Sequence, residues 1–344
     1  MSKKKKRATS KQSRLLVTPR VIKDALDYKD VQLVSRHVST LEHRSEADTS
    51  IEFCGVRINA PMIASPMPDV CNGEMALAVA EAGAIGIIHR FQSISSQVTE
   101  LKTLKGNPAV AAAVGVTGDY VERAEALYKA GCRIYCLDTA NGANLQVARA
   151  FKELKRKDCF YIGGNVATAE TFKYLDDLGF HAIRTGIASG GVCETRTETG
   201  YYHPMITSIL EAASVRKNAL IICDGGIKEP QDMCKAIAAG ADITMEGSAF
   251  AGTRESPGPV VKWDGRKYKL LRGAASFSVQ VDTGKRDEDI QYVEGDETLV
   301  PYQPGGAEQV IKRFRGGLVS MMSYVNAKTL EQYRANVDIV RVLP

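Results

Sequence analysis

An α/β fold of the (β/α)8 (TIM) barrel class is what the 344-residue sequence predicts, on three observations. Eight short apolar runs with strand character occur at 61–65, 85–88, 110–116, 133–137, 159–163, 182–185, 220–223 and 243–245. Segments of helical period lie between them at 74–82, 120–130, 143–154, 168–178, 205–215 and 231–239. Strand, helix, strand at this spacing implies right-handed crossovers and parallel pairing, and eight such units close most economically on themselves. Finally, no Gly-x-Gly-x-x-Gly follows the first run, which counts against the alternative of a doubly wound open sheet.

Taken in order, residues 1–15 read as a disordered basic tail, set off from a single domain over 16–344. Lys3, Lys4, Lys5, Lys6, Arg7, Lys11 and Arg14 alone exceed the whole-chain net charge of +5, so the remainder is net negative. An arm of this kind is a solvated segment, and nucleic acid is not expected as a partner. Residues 16–60 form a polar cap before the regular pattern begins. A composition of 44% hydrophobic and 25% charged residues excludes a wholly disordered chain. No apolar run approaches the ~20 residues that cross a bilayer, and the N-terminus has no apolar leader. The expected setting is therefore the cytoplasm, with no membrane partner. The 8 cysteines include no Cys-x-x-Cys pair, so neither a disulfide framework nor a zinc site is expected.

Barrel enzymes build their sites on the loops that leave the C-terminal ends of the strands. Those positions carry Ser65-Pro66-Met67, His89-Arg90, Asp138-Thr139-Ala140, Gly163-Gly164-Asn165, Asp224-Gly225-Gly226 and Glu246-Gly247-Ser248. Turns also favour Gly, Asn and Asp, so it is their joint occurrence on one rim that points to an enzyme. After the sixth run comes Gly186 to Arg196, where Cys193 follows a loop of small residues that a flat ring can approach closely. Cys193 is a candidate nucleophile. Asp224 offers a carboxylate suited to a ribose diol, and Gly225, Gly226, Gly247 and Ser248 offer amides and a hydroxyl to a phosphate. In barrels, phosphate commonly binds after strands seven and eight, where these residues lie. Farther on, 263–267 reads as a small hairpin and 274–293 as a lid without periodicity. Helix returns at 308–314 and is followed by Gly316-Gly317, after which the chain end closes the barrel or packs on a neighbour.

Read together, these pieces make the chain resemble the family of IMP dehydrogenases and GMP reductases, from about Asp27 to Val342. The shared stretches are Ala64 to Met67, Gly164 to Thr168, Gly186 to Thr195, Asp224 to Ile227, Met245 to Ser248 with Ala251 to Thr253, and Arg315 to Gly317. The resemblance is nearest to the reductase branch. Leu26 to Val31, Ser39 to Leu41, Arg44 to Asp48 and Cys136 to Gly142 look like reductase segments, only Arg90 to Ser95 separate the second strand from its helix, and the lid holds no Arg-Tyr pair.

The resemblance implies NADPH-dependent reductive deamination of GMP to IMP and ammonia by a homotetramer. Cys193 would attack C2 of the purine, with Thr195 and Glu294 handling the proton. Ser65, Met67, Asp224, Gly225, Gly226, Gly247, Ser248, Arg272, Gly273 and Gly295 would hold the substrate. Arg44, Arg90, Asp138, Thr139 and Ala140 would meet the cofactor, and Ala188, Gly190, Cys193 and Arg196 a potassium ion. Three stretches depart from the family pattern: Gly191 stands for a serine, Leu271-Arg272-Gly273-Ala274 for Tyr-Arg-Gly-Met, and Gln291 for an arginine. Two absent phosphate donors would together cost about 2 to 5 kcal/mol if uncompensated. IMP dehydrogenation, reduction of a modified or differently phosphorylated purine nucleotide, and a non-catalytic nucleotide-binding role stay open as alternatives.

Overall fold

The computed structural model describes residues 24–104 and 106–342, so the basic tail at 1–15 lies outside the described residues. Eight parallel strands form the centre: Met62–Ala64, Ile85–Ile88, Val110–Val114, Ile134–Leu137, Phe160–Val166, Ala182–Thr185, Leu220–Asp224 and Ile243–Glu246. Each pairs with the next, and the eighth pairs with the first through Thr244 to Met62 and Glu246 to Ala64, so the sheet is a closed barrel and not an open one.

The closure follows from side chains buried on both faces of every strand. One alternating set, including Ile63, Ile85, Ile87, Ile134, Ile162, Ile222, Ile243 and Met245, fills the barrel, with the small Ala111 and Ala113 of the third strand making room for them. The other set packs against the surrounding helices. Each isoleucine taken fully out of water contributes roughly 1.5 to 3 kcal/mol. At the N-terminal end, the hairpin of Ile51–Phe53 and Val56–Ile58 inserts Phe53 and Ile58 into the same inner cluster as a floor. The opposite end is left for a site.

The shell helices are Gly73–Glu81, Ile94–Thr103, Tyr120–Lys129, Leu145–Leu154, Ala169–Leu178, Met205–Val215, Pro230–Ala238 and Gly306–Tyr324. Asn72, Ser93, Asn144 and Thr168 cap four of them by accepting backbone N–H groups, satisfying donors that helix ends leave free. Ile94–Thr103 is missing from the periodic segments of the sequence because it buries only Gln97 and Leu101. The last helix does not stop at Gly316-Gly317 but runs on to Tyr324. A Cβ on Gly317 would lie 2.5 Å from the Cβ of Pro230, so the glycine serves the close crossing of two helices. The chain end does not close the barrel: Val337–Arg341 pairs antiparallel with Val31–Ser35.

The lid has more structure than its sequence suggests. Val261–Trp263 and Arg266–Arg272 form the expected hairpin, with Asp264 at φ 48° and Gly265 at φ 71° making the two-residue turn. Glu297–Pro301 adds a third antiparallel strand. Between the second and third strands, 274–293 holds the helix Phe277–Asp282, capped by Ser276, and a 3-10 turn at Asp287–Asp289. Among the described residues, no helix is long and apolar enough to cross a membrane.

Candidate active site

A cleft of about 320 Å³ opens at the C-terminal mouth of the barrel. Cys193 stands in its wall on the loop after strand six, and the returning end of the lid is stitched along that loop. Asp296 N donates to Val192 O at 3.0 Å and Glu194 N to Glu294 O at 2.9 Å, while Cys193 and Gly295 form an antiparallel bridge. That pairing brings Glu294 beside Thr195 from 99 residues away. The Cys193 thiol donates to Thr195 Oγ1 at 3.3 Å, and the Thr195 hydroxyl donates to Glu294 Oε2 at 2.7 Å. Thiol, hydroxyl and carboxylate thus form one line along which a proton can move.

The remaining cysteines are all buried. Burial pushes the thiols of Cys132, Cys136 and Cys234 up to about 12, which keeps them protonated and poor as nucleophiles. Cys193 alone is partly exposed.

A chain of buried and half-buried charges crosses the mouth. Arg90 Nε donates to Asp138 Oδ2 at 3.1 Å, Arg184 Nη1 to Asp138 Oδ1 at 2.6 Å, and Arg184 Nε to Asp224 Oδ2 at 2.9 Å. Asn165 Nδ2 adds a 2.7 Å bond to the same oxygen of Asp224. Burial alone would raise the Asp138 carboxyl, but Arg184 and Arg90 hold it below the ordinary carboxylate range. Asp224 is fixed through Oδ2, and its Oδ1 makes no hydrogen bond among the described residues, which leaves it available to a ligand. Arg184 was not singled out by the sequence, and Asn165 was named only as part of a strand-end turn and a shared stretch, with no role assigned to it. The run Ala182–Thr185 reads as an apolar strand, and nothing local marks its arginine as a bridge.

Ser65, Met67, Gly225, Gly226, Gly247, Ser248 and Gly273 line the cleft, and so do Arg90, Asp138, Thr139 and Ala140. Thr139 is anchored by donation to Gly164 O at 3.0 Å, and the Arg90 guanidinium stacks 4.6 Å from the Phe91 ring. Four expected residues lie elsewhere. Arg272 is not in the cleft: it donates to both Asp69 oxygens and to Asp282 at 2.6 to 2.8 Å and so roots the lid on the barrel. Gly295 is behind Cys193 in the backbone bridge. Arg44 is exposed and 5.9 Å from the Tyr324 ring. Arg196 stacks at 4.5 Å over Tyr202, and its carbonyl accepts from Gly200 N at 2.9 Å.

Ala188, at φ 60°, and Gly190 line the cleft, and the Gly190 carbonyl accepts from Cys193 N at 3.2 Å. Neutral backbone oxygens are the donor type that suits a monovalent cation, and a carbonyl with one N–H bond keeps a second lone pair. The loop residues Ala188, Gly190 and Cys193 therefore fit potassium in chemistry, whereas Arg196 offers a carbonyl outside the cleft wall. No cluster of three His, Cys, Asp or Glu side chains suited to a metal occurs among the described residues.

The family model described as "IMP dehydrogenase / GMP reductase domain" matches residues 25–343. The chain is 31% identical to an inosine-5'-monophosphate dehydrogenase of Borreliella burgdorferi over 94% of this chain and 95% of that one. It is 35% identical to a GMP reductase of Chromobacterium violaceum over 94% of this chain and 99% of that one. Against an inosine-5'-monophosphate dehydrogenase of Nitrosopumilus maritimus the identity is 37% over 70% of this chain and 53% of that one, so the chain spans about half the length of that relative.

Proposed function

The chain belongs to the IMP dehydrogenase / GMP reductase family of oxidoreductases, and from that premise we propose that it is the reductase: it converts GMP and NADPH to IMP, ammonia and NADP. The observation that carries this reading is the line from Cys193 through Thr195 to Glu294. Loss of the thiol proton along that line leaves a thiolate, which adds to C2 of the purine. The same line returns a proton to the 2-amino group, which departs as ammonia while the carbon stays bonded to sulfur. A reduced nicotinamide, when bound, supplies the hydride that C2 gains as the carbon–sulfur bond breaks and Cys193 is released as thiolate. Asp224 orients the ribose through Oδ1, and the amides of Gly226, Gly247 and Ser248 face the first phosphate. Asp138, Thr139 and Ala140 form the ledge for the nicotinamide, and the Ala188, Gly190 and Cys193 carbonyls take potassium.

The lid supports reduction over hydrolysis. Of 274–293, only Ala274 and Ala275 line the cleft, and the two lid cations are exposed: Lys285 donates to Gln280 Oε1 at 2.9 Å and Arg286 is paired with Glu288 and Asp289. No lid side chain is placed to activate water. The exposed Val261, Trp263, Leu270 and Leu299 of the lid sheet offer apolar surface for assembly into the expected tetramer.

Mixing the protein with GMP and NADPH and following the absorbance of the reduced cofactor tests the proposal. Oxidation by the wild type and none by Cys193→Ala are expected; an inert wild type, or an active Cys193→Ala, sinks it. IMP dehydrogenation is the second reading, favoured by the relatives of that name, and formation of NADH from IMP and NAD would establish it instead.

A further inference from the structure

We infer that Tyr28 is a positioning residue for the phosphate of the nucleotide: its hydroxyl holds the peptide between Gly225 and Gly226 so that the Gly226 N–H is turned to the cleft. This rests on the nucleotide reading above and adds to it a residue that stands behind the site. Tyr28 does not line the cleft; it lies in the polar stretch before the barrel and is 8% exposed.

The turn after the seventh strand needs an anchor because its glycines leave it soft. Gly225 and Gly226 lie at φ 106° and 75°, a region that other residues rarely enter, and two successive glycines resist rotation of the peptide between them only weakly. Both carbonyls on this turn are held from outside it. Ser189 donates its hydroxyl to Asp224 O at 3.0 Å, and Tyr28 donates its own to Gly225 O at 3.2 Å. The peptide joining Gly225 to Gly226 is trans, so its C=O and N–H point in opposite directions. Fixing the carbonyl toward Tyr28 therefore aims the Gly226 N–H away from it. That N–H finds no acceptor among the described residues, and Gly226 lines the cleft. A free backbone N–H so held is a ready donor to an anion.

The hydroxyl is itself committed. Its single proton goes to Gly225 O, so at Cys223 Sγ, 3.0 Å away, its oxygen accepts from the thiol. Burial raises the pKa of both Tyr28 and Cys223, which keeps both protons in place at neutral pH. The ring is fixed as well. A Cβ on Gly226 would lie 2.8 Å from Tyr28 Cε2, so the ring packs directly on that glycine. Lys235 Nζ donates to Tyr28 O at 3.0 Å and Leu26 N to Thr207 Oγ1 at 2.7 Å, which ties the segment to the helices Pro230–Ala238 and Met205–Val215. Phenylalanine at position 28 keeps that packing and removes the hydroxyl.

The experiment is calorimetric titration of the full chain and of Tyr28→Phe with GMP and IMP, alongside steady-state kinetics with GMP and NADPH. A hydrogen bond of ordinary strength converts to about 3- to 10-fold in affinity, and Tyr28→Phe is expected to bind both monophosphates more weakly by one common factor in that range. Its KM for the nucleotide should rise with kcat within about twofold of wild type, the mark of a binding contact made equally before and during the reaction. Cys223→Ala is the control: it disturbs the same buried cluster, leaves the bond to Gly225 O in place, and should bind both nucleotides as wild type does. Urea unfolding midpoints check that each variant remains folded. Unchanged affinity in Tyr28→Phe, a fall in kcat without a rise in KM, or a loss in Cys223→Ala as large as in Tyr28→Phe overturns the inference while the nucleotide reading stands. A wild-type chain that binds neither GMP nor IMP overturns both.

Discussion

Because Cys193, Thr195 and Glu294 stand in one hydrogen-bonded line, their contributions to rate are predicted not to multiply. Glu294→Gln is close to isosteric and leaves the backbone anchors of that residue in place, Glu294 N to Ala275 O at 3.3 Å and Glu194 N to Glu294 O at 2.9 Å. Thr195→Val removes only the hydroxyl that lies 3.3 Å from the sulfur and 2.7 Å from the carboxylate. A well-placed acid–base group contributes about 10²- to 10⁴-fold, or about 3 to 5 kcal/mol of barrier at ~1.4 kcal/mol per decade. Each single substitution should lower kcat for the guanine nucleotide within that range. Once the line is cut at either point the other group has no proton path, so the double variant should fall no more than about threefold below the worse single one. Independent action would instead give roughly 10⁴- to 10⁸-fold. Steady-state NADPH consumption, with KM and unfolding midpoints as controls, separates the two. Multiplied losses, or a Thr195→Val enzyme of wild-type rate, would refute the relay.

Three further outcomes follow from the buried charges. Arg184→Met strands Asp138 and Asp224 and should destabilise the fold by about 3 to 5 kcal/mol at neutral pH; Asp138 sits below its ordinary pKa in the wild type and rises in the variant, so the deficit should shrink as pH falls through the carboxylate range, and a deficit independent of pH in urea titrations contradicts this. Burial lifts Glu246 to about 8, and neither carboxylate oxygen finds a partner among the described residues, so its unfavourable contribution grows from pH 4.5 toward 8. Glu246→Gln should accordingly raise the unfolding free energy on the alkaline side by a few kcal/mol, on the order of 1.4 kcal/mol per pKa unit, with the gain fading toward acid; a loss at alkaline pH in urea unfolding counts against it. Burial pulls His89 down from 6.5 to about 4, so the unfolded chain binds the extra proton and stability is lost as pH drops through that window. In His89→Asn the acid slope should flatten, and an unchanged slope assigns the acid loss elsewhere.

What the sequence could show was set by how local the physical cause is. The barrel was legible because most of its strands are short runs dominated by apolar residues and most crossover helices carry their own stripe, as in Leu145–Leu154 with Val147, Ala150, Phe151 and Leu154 buried. Cys193 was legible from its own loop, and Asp224 from its glycines. Ile94–Thr103 was hidden by the thinness of its buried face, and the strand Glu297–Pro301 because it is mostly exposed and finds its partner only through the lid's return. Arg272 illustrates the opposite error. The resemblance implied a substrate contact for it, but its guanidinium is bonded to Asp69, 203 residues earlier in the chain.

The charge layout then gives the cleft a direction that no single motif carries. Arg90, Asp138, Arg184 and Asp224 neutralise one another across the side where Thr139 and Ala140 lie, so that wall presents fixed dipoles with little net charge. Arg184 reaches both carboxylates across 46 and 40 residues, beyond the range of any local pattern. Toward Gly247 and Ser248 the cleft has amides but no cation. A nucleotide with its base at Cys193 and its ribose at Asp224 must therefore point its phosphate away from the buried network. Glycine at 191 and leucine at 271 offer no side-chain hydrogen-bond donor there, so on the proposed reading the anionic end of the ligand is held by backbone amides and the Ser248 hydroxyl, whose fixed dipoles suit a phosphate without a cation.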